Sequence, residues 1–541
     1  MRFPRLRTTP RSRIARAAGK LQAAERAEEE YFAELGPKPK KSEVVARTRS
    51  GRSRFNRRSP TRTVAGSFVV LCSIGTLLLM LPGMSVEVGT TSFATALFTA
   101  VSAGCVTGLA TVDTATHWTT QGQAVIVLLV QVGGFGIQAL GTLLALLLTK
   151  KMGATSRLAA QAETGALSPG EVRGVLRALA TISLVVESLV ALALAGRFLL
   201  AYELPLGQSL WMGVFHSVSA FNNAGFALAS DSLMTYGRDP FILGPIAVAI
   251  FLGSLGFLVI VEVFSRATGA RSLLPQRRLA PMDTTDVRRR AKELARRSRY
   301  RMGDSHPERL GFANPIPLSL HTRLTLIGTG VVLLVGFAGF ALFEWANPAT
   351  LGSLPWWERI MNALFSGGIT PRTAGFNTVD YAAVRTETRF LTDGVMFIGG
   401  ASGSTAGGVK VTTLMVLAYA VIAEIRGHAD VNSLDRRIPD TTVRVAIAVV
   451  LVSAAAVTVG TMALIALSDL SLDLAMFEVV SALATVGLSA NVTPTLPGPA
   501  HMLLVLLMLL GRVGPLTLAS ALTLRNAQRS YRLPEGRPMI G

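Results

Sequence analysis

Long apolar runs alternate with short polar stretches along this chain, and the alternation repeats. Predominantly apolar runs stand at about 64–83, 121–149, 174–201, 240–265, 321–345, 389–425, 441–467 and 499–525. Each is long enough to cross a bilayer as a helix, which takes about 20 residues. Between the members of each successive pair lies a shorter apolar stretch, at about 91–105, 207–222, 355–368 and 472–485. At roughly 15 residues these are too short to cross, and they predict re-entrant helices. The pattern as a whole predicts an all-α polytopic membrane protein. Four span–pore-loop–span repeats would stand in a pseudo-fourfold arrangement around one pore, giving eight spans and four re-entrant pore helices.

This reading divides the chain into a tail at 1–63 and repeats at 64–150 and 151–266. A linker follows at 267–320, then repeats at 321–428 and 429–525, and a second tail at 526–541. A helix is expected within the first tail, at about 14–35.

Each short stretch runs into a glycine: Gly108, Gly225, Gly375 and Gly487. Non-helical backbone inside a bilayer survives only where protein or a water-filled cavity surrounds it. Successive carbonyls aimed at one axis can replace the hydration shell of a cation, and the backbone angles this takes suit glycine. Gly108, Gly225, Gly375 and Gly487 are therefore the candidate cation-coordinating positions, with Thr107, Ala224, Ala374 and Val486 as carbonyl partners. Ser102, Ser219 and Ser481 lie six residues before their glycines. The third unit has Ser366-Gly367-Gly368-Ile369-Thr370-Pro371-Arg372 instead, which predicts a different approach. Asp113, Asp231, Asp380 and Asn491 follow the four turns.

The sixth span is interrupted by Gly399-Gly400-Ala401-Ser402-Gly403-Ser404-Thr405-Ala406-Gly407-Gly408. Its glycines cost about 1 kcal/mol each in a helix, so a loop facing the water-filled path is expected. Below the filter such a loop could block flow. A glycine-rich helix-packing face is the structural alternative. The segment is no phosphate loop, because Val409 stands where the lysine must be. Gly134-Phe135-Gly136 resembles a dinucleotide fingerprint only superficially, since it lies inside a span. Arg512 falls well inside the last span. It calls for a cavity or a partner, and is a candidate to hold the loop or to set a barrier to cations. Snorkelling to the interface is its alternative. Glu187 is placed as a buried polar contact, and Glu262 near a solvated cytoplasmic end.

Charge fixes orientation. The net charge is +20, yet residues 1–63 carry 18 Lys/Arg against 6 Asp/Glu, and residues 266–323 carry 14 against 5. Everything else is close to neutral. Basic segments beside spans predict a cytoplasmic side and anionic lipid as their partner, not nucleic acid. Both termini then lie in the cytoplasm of a multi-pass cell-membrane protein. Acidic residues, among them Glu344, Glu358 and Asp239, are expected at the outer mouth, where they raise the local cation concentration. Arg359, Arg372, Arg385 and Arg389 are also expected outside, balanced in part by Asp380 and Asp393. Cys72 and Cys105 lie in apolar sequence and suggest neither a structural disulfide nor a metal site. The six histidines show no metal spacing, and no nucleophile motif appears, so an enzyme is not expected.

The four hairpins resemble the Trk/Ktr/HKT superfamily of potassium transporters over about residues 64–525. The motifs that carry the resemblance are Val106-Thr107-Gly108-Leu109, Thr370-Pro371-Arg372-Thr373-Ala374-Gly375-Phe376-Asn377-Thr378 and Gly511-Arg512-Val513-Gly514-Pro515. The lack of an extra hydrophobic hairpin before residue 64 makes the chain more similar to Ktr membrane subunits than to bacterial Trk ones. The resemblance implies a potassium filter with one glycine per repeat, and an intramembrane gate at Gly399, Gly400, Ser402, Gly403, Ser404, Thr405, Gly407 and Gly408 with Arg512. It implies a homodimer seated on a cytosolic octameric ring of RCK-type subunits. ATP and ADP would act on that ring, so no organic cofactor is expected on this chain. Sodium coupling is left open. The competing class is an alternating-access secondary cation symporter, which commonly shows inverted repeats; here all four repeats share one orientation.

Overall fold

The computed structural model describes residues 60–87, 91–151, 169–267 and 318–524. The helix expected at 14–35 and nearly all of the 267–320 linker lie outside these residues. Among them the regular structure is helical, apart from two pairs of two-residue strands and an isolated bridge between Ser85 and Trp118.

The helices follow the hydrophobic pattern closely. In order they are α1 (Pro60–Leu79), α2 (Phe93–Gly104), α3 (Thr120–Lys151), α4 (Pro169–Ala201), α5 (Leu206–Phe221), α6 (Pro240–Leu255) and α7 (Phe257–Ala267). Then come α8 (Leu320–Glu344), α9 (Trp356–Asn362), α10 (Thr386–Phe397), α11 (Val411–Ile425), α12 (Asp440–Leu467), α13 (Leu472–Leu483) and α14 (Gly498–Leu524). Helix starts are fixed by side chains that accept from the free N–H groups of the first turn. Ser92 accepts from Thr95 N, Asp239 from Phe241 N just before Pro240, and Ser319 from Thr322 N.

Three expectations are corrected or refined. The run at 240–265 is not one straight span: α6 and α7 meet at an angle of 106°. Gly256 makes the corner at φ 81°. Glu262, expected to be merely solvated, accepts from the Ser319 backbone N–H and hydroxyl and from the Thr322 hydroxyl, so it holds α7 to the start of α8. In the third unit α9 passes into a π-helix over Ala363–Ile369, which absorbs the Gly367-Gly368 pair. By length and hydropathy alone, α4, α8 and α12 qualify as membrane spans, with the bent α6–α7 pair as a fourth.

The packing runs in a circle. One buried cluster joins Ala100, Val106 and Ile126 of the first hairpin to Phe215 and Ala224 of the second. A second joins Leu194 and Phe221 to Phe365 and Phe376 of the third. A third joins Phe340 and Tyr381 to Phe477 and Val486 of the fourth. The last joins Leu483 and Leu504 back to Phe98 and Leu109 of the first. Between apolar helices in lipid the gain comes from close van der Waals contact more than from leaving water. Small residues serve that contact. A Cβ on Gly133 of α3 would overlap the carbonyl oxygen of Gly104. Gly253 of α6 meets the Phe221 carbonyl, and Gly511 of α14 the Leu483 carbonyl, in the same way. Those three carbonyls lie four residues before Gly108, Gly225 and Gly487, so the three hairpins use one equivalent contact.

Candidate functional site

At the centre of the circle the four turns meet backbone to backbone. A Cβ on Gly108 would strike the carbonyl oxygen of Ala224, and one on Gly225 that of Ala374. One on Gly375 would strike that of Val486, and one on Gly487 that of Thr107. Each glycine thus faces the carbonyl of the next unit, and the fourth closes on the first. All eight sequence-predicted filter residues lie in this ring.

The backbone conformation explains how the oxygens reach it. The glycines have φ of 98°, 74°, 71° and 94°. The residues two before them, Val106, Asn223, Thr373 and Thr485, have φ of 57°, 59°, 79° and 51°. Alternate left-handed residues turn successive peptides the same way. For the three β-branched residues this costs roughly 1–3 kcal/mol each and persists only because the surroundings enforce it. The enforcing bonds are visible. Thr107 N donates to Ser102 O at 2.7 Å, Ala224 N to Ser219 O at 2.7 Å and Val486 N to Ser481 O at 2.8 Å. In the third unit Ala374 N donates to Thr370 O at 2.9 Å, one residue closer, following the π-helix. The serines noted from spacing take part: Ser102 Oγ accepts from Gly108 N and Ser481 Oγ from Gly487 N, while Ser219 Oγ donates to Phe226 O. The N–H groups are held back toward the short helices that precede the turns. The carbonyls of Thr107, Ala224, Ala374 and Val486 accept no hydrogen bond among the described residues. Buried unpaired carbonyls are uncommon, and a ring of carbonyl oxygens has the chemistry to replace water around a cation.

Above the ring opens a cavity of about 470 Å³, lined by the four glycines with Asp113, Asp231 and Asn491 among others. Asn491 donates to Asp380 at 2.9 Å, and Ser230 to Asp113 at 2.5 Å. Several acids expected at this mouth serve elsewhere. Glu344 is fully buried and accepts from Asn347, Thr350, Thr388 and Arg385 N. Asp239 pairs with Arg197, and buried Glu358 with Arg238. Arg372, expected outside, is also buried, with its guanidinium on Thr329 of α8. Asp393 is buried as well, and Arg389 pairs instead with Asp473. Sequence sides alone do not separate a mouth charge from one that staples a loop.

Below the ring lies the glycine-rich segment. α10 ends at Phe397, and the chain leaves the helix as β1 (Ile398–Gly399), which pairs in parallel with β2 (Val409–Lys410). The loop between them is not a helix-packing face. Ala401 N donates to Ser254 O, Thr405 N to Gly253 O, and Asn223 Nδ2 to the Thr405 hydroxyl at 2.9 Å, all on the second unit. On the other side a Cβ at Gly407 would overlap the hydroxyl of Thr485 in the fourth unit. Units two and four lie opposite each other in the glycine ring, so the loop crosses beneath it. Gly400, Ser404, Gly408 and Gly403 are buried within it, and Ser402 reaches Thr412 at 3.2 Å.

Arg512 does not snorkel. It is 4% exposed, and its Nη1 donates to the Thr405 carbonyl at 2.6 Å. Lys410, one place after the position a phosphate-loop lysine would take, donates from its Nζ to the carbonyls of Ala406 at 2.5 Å and Gly407 at 3.4 Å. Two cationic side chains therefore hold one loop. A lysine ending a glycine-rich run inside a span was the available signal. Glu187 accepts from Gln131 and Asn222, each at 3.3 Å, which ties α4 to α3 and to the end of α5.

Comparison with known proteins agrees in extent. The TrkH family model, described as a cation transport protein, matches residues 40–294 and 296–530. Ktr system potassium uptake protein B of Bacillus subtilis is 34% identical over 486 residues, covering 89% of this chain and 97% of that protein. Potassium/sodium uptake protein NtpJ of Enterococcus hirae is 31% identical over 494 residues, covering 90% and 98%. The crystal structure of the potassium transporter TrkH from Vibrio parahaemolyticus shares the fold at a TM-score of 0.61 and 21% identity, covering 88% of this chain and 86% of that one.

Proposed function

The chain belongs to the TrkH family of cation transport proteins, and from that premise we propose that it carries potassium into the cell through a channel-like pore. It is a membrane transporter and not an enzyme. The closed ring of Gly108, Gly225, Gly375 and Gly487, each against the next unit's carbonyl, carries the proposal. Eight spans and four re-entrant helices surround that ring in this reading, with both termini in the cytoplasm of a multi-pass cell-membrane protein. The carbonyls of Thr107, Ala224, Ala374 and Val486 select the ion, and the negative interior draws it inward.

The loop at 399–408, held by Arg512, is the gate. A second copy of this chain and a cytosolic nucleotide-binding ring complete the assembly, with ATP and ADP on the ring. Several relatives bear the name of a Ktr system, which favours such a partner. The name of the Enterococcus hirae relative supports a sodium-linked variant of the same activity. The test is growth of a potassium-uptake-deficient cell at low potassium. Rescue by this chain with a cytosolic ring subunit supports the reading. Failure to rescue by the membrane-inserted chain, with or without that subunit, contradicts it.

A further inference from the structure

The residue two before each filter glycine forms a layer of its own. Its members, Val106, Asn223, Thr373 and Thr485, are at most 1% exposed, and all are left-handed. Three carry a side-chain oxygen with no hydrogen-bond partner: Asn223 Oδ1, Thr373 Oγ1 and Thr485 Oγ1. One such orphan in a buried site asks for an explanation, and three at equivalent positions ask for a common one.

Their placement supplies it. The Asn223 amide group donates to Thr405, which leaves its Oδ1 as the free end. The Thr485 hydroxyl lies against Gly407 of the same loop. Both side chains therefore stand between the carbonyl ring and the loop that crosses beneath it. Thr373 shares their backbone conformation and the hold on the following N–H, through Ala374 N to Thr370 O. The fourth corner is different. Val106 offers only methyl groups, one of them close to Gly133 of α3.

We propose that Asn223, Thr373 and Thr485 form a second monovalent-cation site, on the cytoplasmic side of the glycine ring and directly above the loop. Hydroxyl and amide oxygens are neutral ligands of the kind that replace water around a large monovalent cation. With Val106 at the fourth corner the site is three-sided, and the ion keeps water there. It is the last stop before the gate. The loop is its floor, so displacing the loop opens the site toward the cytoplasm. The inference rests on the filter reading above.

The experiment locates thallium ions on the pore axis by anomalous diffraction from crystals grown in thallium salt. Wild-type protein is expected to show one peak at the glycine ring and one below it. Thr373→Val/Thr485→Val should lose the lower peak and keep the upper, and Thr373→Ser/Thr485→Ser should retain both. Val106→Thr adds the missing oxygen and should strengthen the lower peak. In rubidium uptake, the valine pair should raise the half-saturating concentration by roughly tenfold, the combined effect of losing two hydroxyl ligands, with the serine pair restoring it. A lower peak that survives in the valine pair, or that is missing from wild type beside a clear upper one, overturns this inference and leaves the filter standing. Absence of both peaks removes the filter as well.

Discussion

The guanidinium of Arg512 donates to the carbonyl of Thr405 at 2.6 Å, so the last helix of the fourth unit holds the loop that interrupts the third. Gly511 sets this up: it lets α14 approach the Leu483 carbonyl so closely that the next residue falls beneath the glycine ring. The contact is charge-assisted, buried and between units. It opposes movement of the loop while leaving the pore walls untouched.

Arg512→Ala should therefore raise flux. A hydrogen bond to a charged group contributes about 1.5–3 kcal/mol, which corresponds to roughly 10- to 100-fold in the closed-to-open ratio. Rubidium efflux from proteoliposomes containing the chain without a partner measures it. Efflux equal to wild type from correctly folded protein contradicts the role.

Removing residues 401–407 takes away the loop's bonds to Ser254, Gly253 and Asn223 together. The same efflux assay should then show high flux that no longer responds to a cytosolic partner. Flux that stays low would mean that the closure lies elsewhere in the pore.

Much of this arrangement was legible before the structure. Hydrophobic periodicity placed the helix ends within a few residues, because a span has a length that sequence must supply. Spacing found the ring, since the strained turns tolerate few residues at the glycine positions. The corner at Gly256 and the π-helix at 363–369 were not legible, because neither interrupts the apolar pattern. Arg372 and Asp393 were misplaced for a related reason: sequence shows on which side of a span a charge falls, but not whether a neighbouring helix covers it. Gly133, Gly253 and Gly511 form a set visible only once their carbonyl partners are known.

The Glu187 network gives a stability prediction. Gln131 Nε2 has the Glu187 carboxylate as its acceptor, and Asn222 Nδ2 shares it. Glu187→Gln keeps an acceptor and should change the detergent melting temperature little. Glu187→Ala leaves a donor unpaired next to the second turn and should cost about 1–3 kcal/mol. Equal melting temperatures for the two variants would show that the network contributes nothing.

The account turns on whether the glycine ring selects the ion. A side chain at Gly108 would press on the Ala224 carbonyl and spread the ring, and Gly225→Ser should do the same through Ala374. The direct measurement is competition of potassium and sodium against radioactive rubidium uptake by Gly108→Ser and Gly225→Ser, in protein that elutes like wild type. The preference for potassium over sodium should fall by about tenfold or more, a loss of at least ~1.4 kcal/mol of discrimination. An unchanged preference in folded, transporting variants would contradict the filter.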